Sequence, residues 1–183
     1  MSIVTDVEGA VIPEGTWAID PVWSSLEIQV RKAGLVDIKG RALSFTGTIR
    51  GGTSPALEGS VETASITTFD EQRDGHLRSP DFLDVERFPQ ITFRSDEVST
   101  DGDELRIAGR LEIKGVSRPV ELRGRFLGSS VDLMGNDRIA LELTATVDRS
   151  AFGITWNAPL PGGDLLLPDE VTVVATLGAA RQA

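Results

Sequence analysis

The sequence has 183 residues, of which 40% are hydrophobic and 25% are charged, a composition typical of one globular domain. Its formal net charge of −10 disfavours nucleic acid and anionic membrane surfaces as partners, because an excess of Lys and Arg binds both. The absence of cysteine excludes disulfides, thiolate catalysis and zinc-thiolate sites, and no apolar run is long enough for a transmembrane helix.

The amino-terminal stretch MSIVTDVEGAVIPEG has neither the basic start nor the apolar run of a signal peptide. We therefore expect a cytoplasmic protein. The chain ends carry few apolar residues in a regular pattern, so we expect an arm over residues 1–13, a single domain over 14–178 and a tail over 179–183.

Apolar and polar residues alternate along several segments, which is the pattern of strands with one buried face and one solvent-exposed face. A sheet with one exposed face is typically antiparallel, because parallel sheets are usually buried on both faces. The segments are those around Leu26–Val30, Leu105–Ile113, Val120–Phe126 and Ile139–Val147. Turn residues separate roughly eight strands, and an all-β barrel of about that number can fill its interior or hold one small ligand.

The stretch RDGHLRSPDFLDVERFPQITF, residues 73–93, interrupts the strands. Short helical turns are expected over residues 73–88, because the prolines after Ser79 and Phe88 limit each turn. His76 is the single histidine of the chain and lies among charged residues. In a structural role, His76 is part of a hydrogen-bonded polar corner. In a catalytic role, it is the base of a hydrolase or isomerase, with Asp74 or Asp81 as the orienting acid.

Other chemical signatures are missing from the sequence. No nucleophile elbow surrounds Ser79, no histidine pair or calcium loop suggests a metal site, and no glycine-rich phosphate loop occurs. We therefore expect no cofactor and no metal, and nothing in the chain demands an enzyme.

The aromatic residues leave one question open. If they meet at the centre of a barrel they fill its core, and if they are spread along it they line an apolar pocket. The residues concerned are Phe45, Phe69, Phe82, Phe88, Phe93, Phe126, Phe152 and Trp156.

Several motifs in order and spacing resemble those of the YceI-like family. Residues 73–93 resemble the family's RDxHLRSxDFFDVxxYPxIxF run, and they follow the SITT segment at 65–68. The segments LEIKGVSRPVEL at 111–122 and DRSAFGI at 148–154 resemble further family motifs. The resemblance extends from Gly15 to Leu177.

This resemblance implies an eight-stranded antiparallel, lipocalin-like barrel, often a homodimer, that binds a polyisoprenoid, an isoprenoid quinone or a fatty-acid derivative in its lumen. Our predicted lumen residues are Leu26, Ile28, Val30, Phe45, Phe82, Phe93, Leu105, Ile107, Leu111, Leu122, Phe126, Leu141, Leu143, Phe152 and Trp156. The candidates for contact with a ligand head group are Arg73, His76 and Arg78. A barrel with a packed core that acts as a protein-interaction or stress-accessory module is the alternative.

The chain departs from the family at two positions where histidine is usual. Trp23 lies in the stretch that corresponds to the family's DxxHS, and Lys32 ends the second strand. A head-group role of those histidines is therefore absent from this chain or has passed to Trp23 and Lys32.

Overall fold

The computed structural model describes residues 11–183. Over this range the chain forms eleven strands: β1 (Gly15–Ile19), β2 (Ser25–Lys32), β3 (Val36–Ala42), β4 (Phe45–Gly51), β5 (Ala56–Glu62), β6 (Ile66–Thr67), β7 (Gln90–Asp101), β8 (Glu104–Ile113), β9 (Val116–Val131), β10 (Asp137–Asp148) and β11 (Glu170–Arg181). One α-helix, α1, spans Glu71–Arg78, and 3-10 turns occupy Pro21–Trp23, Thr63–Ser65 and Arg149–Phe152. Within these residues no helix is both long and apolar enough to cross a membrane.

The sheet closes into a barrel because β1 pairs with both β4 and β11. The closed ring has eight strands in the order β1-β4-β5-β7-β8-β9-β10-β11, and every pair in it is antiparallel. The other three strands lengthen the wall at one end, where β2 pairs with β11, β3 with β2 and β6 with β3. The predicted eight-stranded antiparallel barrel is confirmed.

Two local features qualify the strand and turn pattern. Residues 43–44 separate β3 from β4, because their amides bond to Ser65 instead of to a neighbouring strand. The short helix expected after residue 73 begins earlier, at Glu71, because Asp70 caps it by accepting a hydrogen bond from the Arg73 amide.

Gly124 shows why glycine occurs inside a long strand. A Cβ at this position would collide with the carbonyl oxygen of Glu142 on the neighbouring strand. The register of β9 against β10 shifts close by, between Ala140 and Leu141. Glycine therefore permits the close approach that the bend of these two strands requires.

One end of the barrel is filled by side chains, and we call this end the base. Trp17 is only 1% exposed there, and its indole nitrogen donates a hydrogen bond to the carbonyl oxygen of Pro13 at 3.1 Å. The guanidinium carbon of Arg181 lies 4.4 Å from the centre of the Trp17 ring system. The buried residues of the base are Ile12, Trp17, Ile49, Leu57, Leu105, Ile107, Ile139, Leu141, Leu143, Ala175, Leu177 and Ala179.

The chain ends differ in part from the expected arm and tail. Residues 1–10 lie outside the described range, but Ile12 is buried in the base and its carbonyl accepts a hydrogen bond from Gly52. At the other end β11 continues to Arg181, since residues 179–181 pair with β1. The first three residues of the predicted tail are therefore part of the barrel wall.

Candidate functional site

The half of the barrel opposite the base encloses a cavity of about 330 Å³, which we call the lumen cavity. Its wall is almost entirely apolar. The volume is about twice that of a ~150 Å³ apolar cavity that holds benzene, and it lies near the lower end of the ~300–1,000 Å³ typical of ligand pockets. The interior therefore has both features that the sequence left open, a packed base and a hollow half.

Nine of the fifteen predicted lumen residues line this cavity. They come from β2, β4, β7, β8, β9, β10 and the corner after α1. These residues are Leu26, Ile28, Val30, Phe45, Phe82, Phe93, Leu111, Leu122 and Leu143. Their role as ligand contacts stays a prediction.

The other six predicted residues lie outside the cavity wall. Leu105, Ile107 and Leu141 are buried in the base, and Phe126 packs against it. Phe152 is buried in a second cluster, and Trp156 packs against His76. For the strand residues the reason is that a period of two predicts which face a residue occupies but not its height along the barrel axis, whereas Phe152 and Trp156 lie outside the strands.

The cavity is covered at its outer end by two connections, and we call this end the mouth. The first is α1 with the corner after it, which contributes Leu77 and Leu83 to the cavity wall. The second is the segment 149–169 between β10 and β11, which contributes Ile154 and Leu167. The sequence did not single out these four residues, because neither connection has a strand period.

The corner is held by a buried carboxylate together with Arg73, one of the residues we proposed as head-group contacts. Asp74 on α1 is 5% exposed and accepts three hydrogen bonds. Its partners are Thr67 Oγ1 at 2.6 Å, Thr68 Oγ1 at 2.6 Å and the Thr68 amide at 2.7 Å. Arg73 is engaged in the same corner, because it donates to the hydroxyl and the carbonyl of Thr68.

His76 belongs to an aromatic cluster at the mouth. Its ring lies edge-on to Phe82 at 4.9 Å and to Trp156 at 4.6 Å between ring centres. Its Nε2 lies 2.9 Å from a carboxylate oxygen of Asp81. The Ser79 hydroxyl donates to the main-chain carbonyl of His76 at 2.6 Å, not to the imidazole.

The remaining candidate head-group residues are solvent-exposed. Arg78 is exposed at the end of α1, and only its main-chain carbonyl is bonded in the corner, to the amide of Val85. Trp23 is half exposed on the turn after β1, and Lys32 is exposed at the end of β2. None of these side chains lines the lumen cavity. Among residues 11–183, no three His, Cys, Asp or Glu side chains are grouped so that they could hold a metal ion.

Arg149 is a buried cation in the cavity wall that we did not predict as a site residue. It begins the 3-10 turn directly after β10, whose inward residues Leu143, Ala145 and Val147 also line the cavity. Its Nε donates to the carbonyl of Pro168 at 2.9 Å. The one available signal was its position two residues after Val147, which places position 149 on the inner face.

The three hydrogen bonds to Asp74 predict a pH-dependent stability of the mouth. Burial alone raises the pKa of Asp74, but the bonds from Thr67 and Thr68 together hold the pKa below its usual 3.8. This stabilisation is complete above the unfolded-state pKa of about 4 and is lost as the pH falls through the lower folded-state pKa. We expect Asp74→Asn to lower the free energy of unfolding by about 1–3 kcal/mol near neutral pH.

Urea unfolding of wild type and variant between neutral and acidic pH tests this expectation. The difference between the two proteins should shrink on acidification. Asp103→Asn, on the exposed turn between β7 and β8, is the matched control and should leave the curve unchanged. A constant difference at every pH would contradict the assignment to the charged form of Asp74.

An eight-stranded antiparallel barrel with an apolar lumen defines the lipocalin-like class of binding barrels. The model of the YceI-like domain matches residues 17–179, and the chain belongs to this family. The family is one of binding barrels and is not a known enzyme family.

A UPF0312 protein of Pectobacterium atrosepticum is 34% identical over 136 residues, which cover 72% of this chain and 71% of that protein. A YceI protein of Salmonella arizonae is 40% identical over 98 residues, which cover 54% of this chain and 51% of that protein.

Solved structures share the fold at low sequence identity. BcnA of Burkholderia cenocepacia superposes with a TM-score of 0.76 at 18% identity, over 87% of this chain and 98% of that one. A polyisoprenoid binding domain from Saccharophagus degradans superposes with a TM-score of 0.67 at 15% identity, over 91% of this chain and 98% of that one.

Proposed function

We propose that the barrel binds a long apolar molecule in the lumen cavity and sequesters or carries it. Candidates are a polyisoprenoid, an isoprenoid quinone or a fatty-acid derivative. The observation that carries the proposal is the unfilled, apolar half of the lumen. Support also comes from the polyisoprenoid binding domain of similar fold and from membership of the YceI-like family.

The chemistry of the cavity wall favours a hydrocarbon ligand. A chain buried in the cavity exchanges contact with water for contact with side chains such as Ile28, Val120 and Val173. Each buried methylene contributes about 0.8 kcal/mol. A ligand that places about ten carbons in the cavity therefore obtains most of its affinity from the chain.

We further propose that the protein is not an enzyme. A serine hydrolase requires a hydroxyl that donates to the catalytic imidazole. Here the Ser79 hydroxyl is bonded to a main-chain carbonyl, and the His76 ring is held between Asp81 and two aromatic rings. This arrangement supports the interpretation of His76 as a part of the mouth.

Binding should depend on chain length. We expect the affinity for a series of straight-chain alcohols to rise about fourfold with each added methylene, as ~0.8 kcal/mol per methylene implies. The rise should stop when the cavity is full. Isothermal titration calorimetry of the series measures both the slope and the plateau, and a negative heat-capacity change marks the apolar burial.

Two further measurements bear on the proposal. Native mass spectrometry of freshly purified protein, followed by organic extraction, should reveal a stoichiometric lipid and its class. A protein that carries no lipid and binds no member of the alcohol series would reject the proposal in favour of an interaction module. The homodimer, the transport role and the cytoplasmic location remain expectations, and sedimentation of the lipid-loaded protein tests the first.

A further inference from the structure

Arg149 is an unusual member of an apolar cavity wall, because its charged side chain is only 7% exposed. A buried guanidinium is costly unless its N–H groups are bonded. Nε donates to Pro168, and Nη1 donates to the carbonyls of Ile154 at 3.1 Å and Trp156 at 2.9 Å. These bonds use three of the five N–H donors of an arginine.

The remaining nitrogen, Nη2, is buried and has no hydrogen-bond partner among residues 11–183. The nearest carboxylate oxygen belongs to Asp169, at 3.9 Å, which is beyond hydrogen-bond distance. The Asp169 side chain is 64% exposed and therefore solvated, while its main-chain carbonyl holds the Arg149 amide. Asp169 thus partly balances the charge of Arg149 but does not satisfy Nη2.

The position of Arg149 places this unsatisfied cation next to the ligand space. Arg149 begins the 3-10 turn directly after β10, two residues after Val147, which lines the cavity. The residues that flank the guanidinium, Ile154 and Leu167, line the cavity as well. A chain lying along the wall of β10 would bring its outer end to the Arg149 side chain.

We propose that Arg149 binds the terminal oxyanion of an anionic lipid, a carboxylate or a phosphate, through Nη2. This inference rests on the proposed function and names the chemical class of its ligand. Charge-assisted hydrogen bonds from a fixed guanidinium to an oxyanion are among the strong ones, and the surrounding carbonyls hold this guanidinium in place. Arg73 and His76, which the sequence left as candidates for this role, are engaged with Thr68 and Asp81.

The test compares probes of equal chain length on the wild-type protein. Dodecanoate and dodecyl phosphate should each bind about tenfold more tightly than methyl dodecanoate at neutral pH, as one charge-assisted bond implies. The larger of the two gains identifies the head group as a carboxylate or a phosphate. Equal affinity of both anions and the ester would overturn the proposal and leave the lipid-binding function intact. Failure of all three probes to bind would overturn both.

Three variants locate the effect. Arg149→Gln should abolish the preference for anions over the ester, whereas Arg78→Gln, which removes an exposed charge from the same mouth, should preserve it. Because Arg149 also holds the segment 154–168, its variant can fail to fold. Asp169→Asn provides a test if that variant does not fold. It removes a carboxylate that competes with the ligand for Arg149, and it should raise the preference for anions about threefold or more. A preference unchanged in Asp169→Asn, or lost in Arg78→Gln, would contradict the assignment to Arg149.

Discussion

Replacement of Trp17 by alanine should remove about 3–5 kcal/mol from the free energy of unfolding, the usual cost of deleting a large aromatic side chain from a core. Trp17 is almost completely buried in the base, donates a hydrogen bond to Pro13 and stacks under Arg181. All three contributions are lost together in the variant. Chemical denaturation monitored by far-ultraviolet circular dichroism measures the change.

The same substitution at Trp23 is the matched control. Trp23 is 51% exposed, and the guanidinium carbon of Arg138 lies 4.8 Å from its ring centre. Trp23→Ala should lower the free energy of unfolding by about 1 kcal/mol, because this half-exposed ring buries less apolar surface than Trp17 and makes one cation–π contact. Trp17 does not line the lumen cavity, so the folded Trp17→Ala protein should keep its ligand affinity. Equal destabilisation by the two variants would show that the base does not hold the barrel closed.

The barrel could be predicted from the sequence because each long strand repeats one simple pattern. Residues Leu141, Ala145 and Val147 alternate with polar neighbours along β10, and all three are buried as expected. Such rows also determine the pairing register of neighbouring strands, because a shift by one residue would expose every apolar side chain of a strand to water.

The height of each residue along the barrel could not be predicted in this way. Leu141 and Leu143 are indistinguishable in pattern, yet only Leu143 lines the lumen cavity. The base also contains Trp17 and Ile12, which belong to the same buried cluster as Leu141. Those two residues come from the amino-terminal part of the chain, where no period shows that they enter the base. A polar substitution at Leu141 would therefore probe folding rather than ligand binding.

The corner and Arg149 show a similar limit. The motif around residues 73–93 indicated a polar corner, but Asp74 and Arg73, rather than Arg78, form its hydrogen bonds. Which of several neighbouring charged groups is paired depends on the backbone path through Thr68, and sequence spacing does not determine that path. Arg149 was predictable in principle, because a charged residue in an inward position of an apolar row requires specific partners.

Ala145→Trp should weaken the binding of a long apolar ligand about fiftyfold while the protein stays folded. Ala145 is buried in the middle of the inward row of β10 and lines the lumen cavity. A bulky side chain there enters the cavity and displaces about three methylenes of the ligand, at ~0.8 kcal/mol each. The empty space receives the indole, so the cost to stability should stay within the ~1–3 kcal/mol of an overpacked core. Calorimetric titration with the longest alcohol that the wild type binds measures the loss.

Thr146→Trp is the matched control, since the next residue of β10 is exposed on the outer face of the barrel. It adds the same side chain to the same strand, and it should leave both affinity and chain-length dependence unchanged. The plateau of the alcohol series should move to a shorter chain in Ala145→Trp alone, because the indole reduces the space available to the chain. If both variants bind as tightly as the wild type, the ligand does not lie in the lumen cavity; if both lose binding equally, the outer surface of β10 contributes to the site.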